Sequence, residues 1–416
     1  MYNDNERQIK TNMIQQIIHR LLLRRHFWRY ATFSEVAELY ASTLLRKLAI
    51  HIASAFMSVF LYQIGYSILF IATFWTLYYV FKIATVFPAA QYASKFGPKH
   101  GILLSNLLYI PAMAIFTFVP EWGIPAIAAT GILQCMSATL YSLCYAIDFS
   151  KVKSIEHAGK EIAYMNMIEK IATGLSPFIG GLLAFAMGPE STMWVAAALF
   201  AVAAVPLFHT GEPPKSRQKL VFKGFPWRLT WRSLVANTGV GFDFVSSGTV
   251  WILYVAVIII GTGTNEVYAK MGALLSVVII AALAASYVFG KLIDNRRGGE
   301  LLRFSVIADA LVHLVRPFAG SVGAAAAINV ANEGATTGYA MAFTRGMFDT
   351  ADLSGHRITY LACMEITASF GAAVAGGLFM LLLFVANDLL AMQIFFYAAA
   401  VIVLIIAMPK FPLYRK

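Results

Sequence analysis

Long apolar runs broken by short polar stretches set the pattern of this chain. They lie near 41–62, 67–88, 101–119, 122–146, 161–187 and 191–209, and again near 232–260, 266–290, 301–319, 321–345, 357–384 and 388–408. A helix needs about 20 apolar residues to cross a hydrocarbon core about 30 Å thick, so the pattern predicts twelve membrane-spanning helices. Between the two sets lies 210–231, TGEPPKSRQKLVFKGFPWRLTW, which contains proline, is basic and is far less apolar; it reads as a linker. The expected order is an N-terminal amphipathic segment (1–40), a six-helix bundle (41–209), the linker (210–231), a second six-helix bundle (232–408) and a short tail (409–416).

Composition agrees with an all-α polytopic membrane protein. Apolar residues make up 59% of the 416 and charged residues only 13%, against about 25% charged in soluble domains. An ordinary soluble enzyme, a secreted disulfide scaffold and a disordered chain are excluded. Cys135, Cys144 and Cys363 stand inside apolar runs without close spacing, which gives neither a disulfide framework nor a zinc site. No apolar signal core follows Met1, so the spans themselves are expected to direct insertion.

Charge then fixes topology. Of 32 lysines and arginines, 28 fall in 1–47, the linker region to Arg232, the end after 408 and every second loop with its flanks; the alternate loops hold none. By the positive-inside rule both termini and the linker face the cytoplasm, in a plasma (inner) membrane. The net charge of +11 is thereby a topology signal and not a nucleic-acid footprint. Residues 9–30 place Ile14, Ile17, Ile18, Leu21 and Leu22 at helical spacing, with Arg20, Arg24, Arg25 and Arg29 among them. The stretch reads either as an interfacial helix on the anionic leaflet or as a plain basic tail helix.

The halves repeat. Ile162, Tyr164, Glu169, Ala172, Gly180, Gly181 and Leu182 recur as Ile358, Tyr360, Glu365, Ala368, Gly376, Gly377 and Leu378, at a constant offset of 196. The loops at 90–100 and 290–300 correspond at an offset near 200. Two parallel, pseudo-symmetric six-helix repeats are a transporter architecture with the path between them.

The loop after the eighth span reads Gly290-Lys291-Leu292-Ile293-Asp294-Asn295-Arg296-Arg297-Gly298. It resembles the signature loop of the major facilitator superfamily, Gly-x-Leu-x-Asp-Arg-x-Gly-Arg/Lys. The first-half loop, with Lys95, Gly97 and Lys99, keeps the shape but has Ser94 at the Asp position. The fifth span, with Ala163, Ala172, Ser176, Pro177, Gly180 and Gly181, resembles that family's antiporter motif, three glycines being replaced by Ala or Ser. The resemblance, over about 40–408, implies alternating access between the halves, a path lined by the first, fourth, seventh and tenth spans, and a gate at the signature loop. Asp294, Arg296 and Arg297 are the gate candidates, joined by the repeat-matched Glu169 and Glu365. These two are expected to hold the inner gate or to pair with Lys82, Lys170 or loop arginines.

Polar stripes on the four expected helices give the path candidates, since such groups cannot face lipid. They are His51, Ser54, Ser58 and Tyr62; Gln134, Ser137, Tyr141, Tyr145 and Asp148; Gly239, Asp243, Ser246, Ser247 and Tyr254, with Val250 breaking the row; and Asn329, Asn332, Glu333, Thr336 and Thr337. Asp243 and Glu333 fall roughly 17 Å into their helices, near the membrane midplane, and are the candidates for proton exchange or for pairing a cationic substrate. His51 is a candidate relay. Asp309, His313 and Arg316, at i, i+4 and i+7 on the ninth span, fit three readings: a self-satisfied pair, a lateral opening toward polar lipid heads, or an interface.

No phosphate-binding Gly-rich loop, metal-ligand spacing or nucleophile elbow occurs, so no ATP motor, enzyme, cofactor or metal is expected. The reading is a monomeric secondary transporter of a small organic solute, proton-coupled and exporting. Its expected partners are that solute, protons and the lipid bilayer, and no nucleic acid. The alternatives are a uniporter, a flippase of an amphiphile, or a non-transporting sensor or scaffold.

The distribution of basic residues generates the first prediction. In a variant without the native cysteines, a cysteine replacing Ser216 is expected to label from the cytoplasmic side and one replacing Gly263 from the opposite side. Labelling of both from one side overturns the topology.

Overall fold

The computed structural model describes residues 33–152, 158–208 and 220–414. The amphipathic stretch at 9–30 and the first part of the linker (210–219) lie outside the described residues. All regular structure among the described residues is helical. The first half contains α1 (Phe33–Gln63), α2 (Ile68–Phe96), α3 (Pro98–Phe116), α4 (Ile124–Val152), α5 (Ala158–Met187) and α6 (Pro189–Ala204). The second contains α7 (Trp227–Ile260), α8 (Glu266–Asp294), α9 (Gly298–Val315), α10 (Val322–Leu353), α11 (Arg357–Val385) and α12 (Asp388–Ala407).

Ten of these helices are long and apolar enough to cross a membrane; α9 and α10 are the exceptions to the twelve expected from the sequence. Their composition explains why. Glu300, Arg303 and Asp309 lie on α9, and α10 is rich in Ala, Gly, Thr and Asn. Both pack against each other within the second half, where polar groups find partners instead of lipid.

Local sequence sets the turns. Gly97 and Gly188 adopt φ of 98° and 88°, which a side chain disfavours, and Pro98 and Pro189 then open the next helices, the position where proline's missing N–H is harmless. The signature loop makes its equivalent turn with Arg296 at φ 58°, the sole non-glycine residue with positive φ among those described.

Each half packs within itself: α1 on α5 and α6, α3 on α4 and α6, and in the second half α7 on α11 and α12, α9 on α10 and α12. The halves meet along two seams, α2 on α11 and α5 on α8, which the repeat makes equivalent. Small residues permit the close approach. A Cβ on Gly181 would stand 2.4 Å from the Tyr268 carbonyl oxygen, and one on Gly272 2.4 Å from that of Pro177. On the other seam a Cβ on Gly376 would meet Thr76 Oγ1 at 2.4 Å. The repeated Gly-Gly pair thus serves contact in both halves, but shifted by one residue: Gly377, which matches Gly181, would carry its Cβ into open space.

On the face opposite the linker, Gln63 at the end of α1 ties the halves. Its Nε2 donates to the Thr262 and Thr264 carbonyls (3.0 and 3.4 Å), and its Oε1 accepts from the Tyr268 hydroxyl at 2.5 Å.

Gly181→Val is expected to destabilise the protein by about 1–3 kcal/mol, since the added carbons meet backbone that cannot yield. Gly377→Val is expected to leave the thermal midpoint in detergent unchanged. Equal effects would show that the α5–α8 seam tolerates separation.

Candidate functional site

Each half is organised around one fully buried guanidinium. In the first, Arg46 on α1 donates from Nη1 to Asn106 Oδ1 (2.7 Å) and Ser105 Oγ (3.2 Å) on α3, and from Nη2 to Ser137 Oγ (3.0 Å) on α4. The Tyr141 ring lies 4.1 Å from its carbon, with Tyr109 and Phe200 around it. Asn106 and Ser42 close the same cluster onto the Ala203 carbonyl at the end of α6. One cation therefore pins α1, α3 and α4, and its ring contact reaches α6.

The second half repeats the device on a different helix. Arg316, just past α9, donates to Ser247 Oγ on α7 and Asn332 Oδ1 on α10, each at 2.9 Å. It stacks over Trp251 of α7 and Phe396 of α12. It also donates to His313 Nδ1 at 2.8 Å. Because a guanidinium cannot accept, this puts the ring hydrogen on Nε2, which donates to Asp243 Oδ1 at 3.0 Å. Asp243 further accepts from Ser247 (2.8 Å) and from Tyr339 of α10. The structure buries the ninth-span stripe: Asp309, His313 and Arg316 are all 0% exposed, and the hydrogen-bond partners of His313 and Arg316 beyond each other lie on α7 and α10.

The Val250 break in the α7 stripe has a geometric cause. Ser246–Val250 forms a π turn, whose wider pitch brings Trp251 round in place of Val250. Trp251 Nε1 donates to Asn329 Oδ1 at 2.7 Å, and Asn329 Nδ2 to the Leu274 carbonyl. π turns inside α-helices concentrate at functional sites.

Charged pairs cross between the halves. Lys170 of α5 meets Glu333 of α10 at 2.6 Å, and Lys82 of α2 meets Glu365 of α11 at 2.6 Å. Glu333 also accepts from Thr337. Glu169, matched to Glu365 by the repeat, pairs instead with Lys47 of α1, within its own half. Position 282, which matches Lys82 at an offset of 200, is Ala282, so α8 carries no lysine at the position equivalent to Lys82. All six side chains keep between 15% and 31% exposure, unlike the dry clusters above.

The remaining candidates are distributed. Gln134 donates to the Tyr109 hydroxyl at 2.5 Å and so joins α4 to α3. Tyr141 lies under Arg46 and stacks on Tyr145. Half-buried His51 follows Lys47 by one turn of α1. In the signature loop Asp294 ends α8, and Arg297 pairs locally with Glu300 at 2.9 Å in an exposed position. Asp148 falls among residues whose side chains are not described. Sequence reasoning missed Arg46, Lys47 and Tyr339. Arg46 and Lys47 had been assigned to topology, although they sit inside an apolar run where a charge needs a partner.

Two bundles joined by parallel seams, with charged pairs between them and polar clusters inside them, define a polytopic membrane transport protein. The sequence matches the family model described as Major Facilitator Superfamily over residues 39–344. The chain belongs to that family and is a secondary transporter. Solved structures similar to it include the human organic anion transporter MFSD10 (TETRAN), at 12% identity and TM-score 0.67, covering 91% of this chain and 100% of that one. FucP in the outward conformation matches at 14% identity and TM-score 0.62, covering 90% and 98%. A second structure of FucP, the E. coli fucose:proton symporter, matches at 15% and 0.62, covering 89% and 97%. At these identities the likeness is one of fold. A search of curated proteins returns no match.

The buried cluster separates its two aspartates. Asp243 accepts three hydrogen bonds, whereas neither oxygen of Asp309 accepts one; its approach to His313 is 3.8 Å. Asp243→Asn is therefore expected to lower stability by about 1–3 kcal/mol, and Asp309→Asn to be neutral or stabilising. Thermal unfolding in detergent checks the order; the reverse order would assign Asp309 the structural role.

Proposed function

We propose that this transporter is a proton-coupled exporter of a small organic solute, with the linker and basic loops in the cytoplasm. The observation that carries the proposal is the placement of Glu333 and Glu365. Both carboxylates sit on path helices or seams of the second half, both pair with a lysine of the first, and both remain partly accessible. A proton delivered to either would neutralise it and release its lysine, so protonation and the separation of the halves become one event. Contacts on the face opposite the linker, at Gln63, leave the linker face as the side from which these pairs are reached.

Asp243 has no contact across the halves. It communicates through Ser247, Arg316 and Asn332 with the neighbouring Glu333, and acts as a positioning residue for the coupling pair. The direction rests on the α5 motif, whose Gly180 and Gly181 bring α1 and α8 into backbone contact. The flippase alternative draws on the ninth-span charges and the basic N-terminal stretch; the charges are buried against α7 and α10, and the stretch lies outside the described residues. The signature-loop residues Asp294, Arg296 and Arg297 belong, in this proposal, to the opposite access state, in which the linker-face ends of the halves approach.

The test uses proteoliposomes containing a pH-sensitive dye and a solute first identified by thermal-shift screening. A solute gradient is expected to drive protons in the opposite direction. Glu333→Gln keeps most of the shape and hydrogen bonding but cannot titrate; it is expected to abolish accumulation driven by a pH gradient while solute exchange persists. Solute movement without proton movement in the parent protein would establish uniport. Parent-like accumulation in both Glu333→Gln and Glu365→Gln would remove these carboxylates from coupling.

A further inference from the structure

Three cations that the transport path does not use gather where α7 begins and α12 ends. Arg228 and Arg232 stand one turn apart on α7, and Lys410 follows α12; with Trp231, Ser233 and Thr350 they line a cavity of about 240 Å³. No Asp or Glu lines it. Among the described residues none of the three forms an ion pair, and Arg232 is engaged only by the Trp231 ring, 5.3 Å from its guanidinium carbon. Two other basic residues on this face are matched by acids: Arg297 by Glu300 and Arg357 by Asp352. Three like charges held around one cavity repel each other unless an anion joins them.

The surroundings identify the anion. Trp227 and Trp231 are exposed beside the cavity, and tryptophans mark the headgroup level of a membrane. Below it, Val401, Leu404, Ile405 and Met408 present exposed apolar side chains along α12 up to Pro409 and Lys410. A charged cavity continuous with an apolar strip suits a molecule with an anionic head and acyl chains.

We propose that this cavity binds the headgroup of an anionic phospholipid, with the phosphate between Arg228, Arg232 and Lys410 and the chains along the exposed strip of α12. Guanidinium groups engage phosphate oxygens in pairs, and the anionic lipids that supply them concentrate in the cytoplasmic leaflet. The site therefore rests on the orientation proposed above, and is independent of proton coupling. A bound lipid would join the start of α7 to the end of α12 beside the linker, bracing the second half where the linker enters it.

Native mass spectrometry of the full-length protein from micelles doped with phosphatidylglycerol or phosphatidylcholine tests this. Phosphatidylglycerol is expected to be retained and to raise the thermal midpoint, and phosphatidylcholine to do neither. Each of Arg228→Gln, Arg232→Gln and Lys410→Gln is expected to weaken retention about fivefold, and the triple variant about a hundredfold. Lys95→Gln, an exposed cation on the same face, serves as the unaffected control. All four positions are exposed or half-buried, so the variants keep the fold. Glycerol phosphate at millimolar concentration gives the headgroup without chains. Protection equal to that by the lipid would make this a site for a free anion and overturn the proposal. Parent-like retention by the triple variant, or loss of retention in Lys95→Gln alone, would overturn it as well.

Discussion

The structure depends on two guanidinium groups that water does not reach. A charge inside an apolar bundle is costly unless acceptors and rings surround it, and that requirement dictates how helices assemble, even though the Nε of each guanidinium has no acceptor among the described residues. Arg46 needs acceptors from α3 and α4 at once and rings from α3, α4 and α6 around them. Arg316 needs α7 and α10 for acceptors and α7 and α12 for rings. Lipid tails give apolar helices little reason to prefer one neighbour over another. A buried cation with a fixed fork of donors does discriminate, because the wrong neighbour leaves a donor bare.

The two clusters are analogous without being copies. Arg46 sits on the first helix of its half, whereas Arg316 follows the third helix of its own. The first cluster holds no carboxylate partner for its arginine, while the second holds Asp243 and Asp309 with His313. Matching architecture with unmatched chemistry points to a half that holds its shape by neutral hydrogen bonds and a half whose core carries titratable groups. The second also contains the π turn, which twists the α7 stripe so that Asp243 and Ser247 face α9 and α10 and Trp251 reaches Asn329.

Much of this was legible in the sequence, and the limits have physical causes. Twelve helices and the two-half repeat follow from apolar runs and offset, which are properties of the chain alone, although α9 and α10 are less apolar than the expected spans. Polar stripes located α1, α4, α7 and α10 because a period of 3.6 survives in any helix. The partners of Asp243 were out of reach, since the stripe on α9 looked peripheral and a π turn leaves no reliable mark in sequence. Glu169 and Glu365 looked equivalent because the repeat matches them. Their partners differ because Lys82 has Ala282 as its counterpart. A repeat preserves the frame, and single substitutions on the facing helix decide what each position does within it. Arg46 was absorbed into the count of cytoplasmic charges, since a charge near the end of a span can equally snorkel to the interface.

What holds the halves to each other is different in kind from what holds each half together. Within a half, the contacts are dry, several-centred and expensive to break, since each broken bond strands a polar group in a low-dielectric interior. Between the halves lie glycine-lined backbone contacts, which slide without stranding anything, and lysine–glutamate pairs that stay partly wet. An ion pair in contact with water is worth about 1 kcal/mol or less, because solvent replaces each partner as it leaves. The partly wet pairs at Glu333 and Glu365 thus lie on the seams, with one more, Lys47–Glu169, inside the first half, and the dry clusters lie in the bundles. Motion that keeps all dry bonds intact has to move each bundle as a body, and the pairs at Glu333 and Glu365 span the two bodies. Both lysines come from the first half and both glutamates from the second, so under the proposed coupling a proton on a carboxylate of one body alone would release the seam while leaving the cation-centred cores untouched.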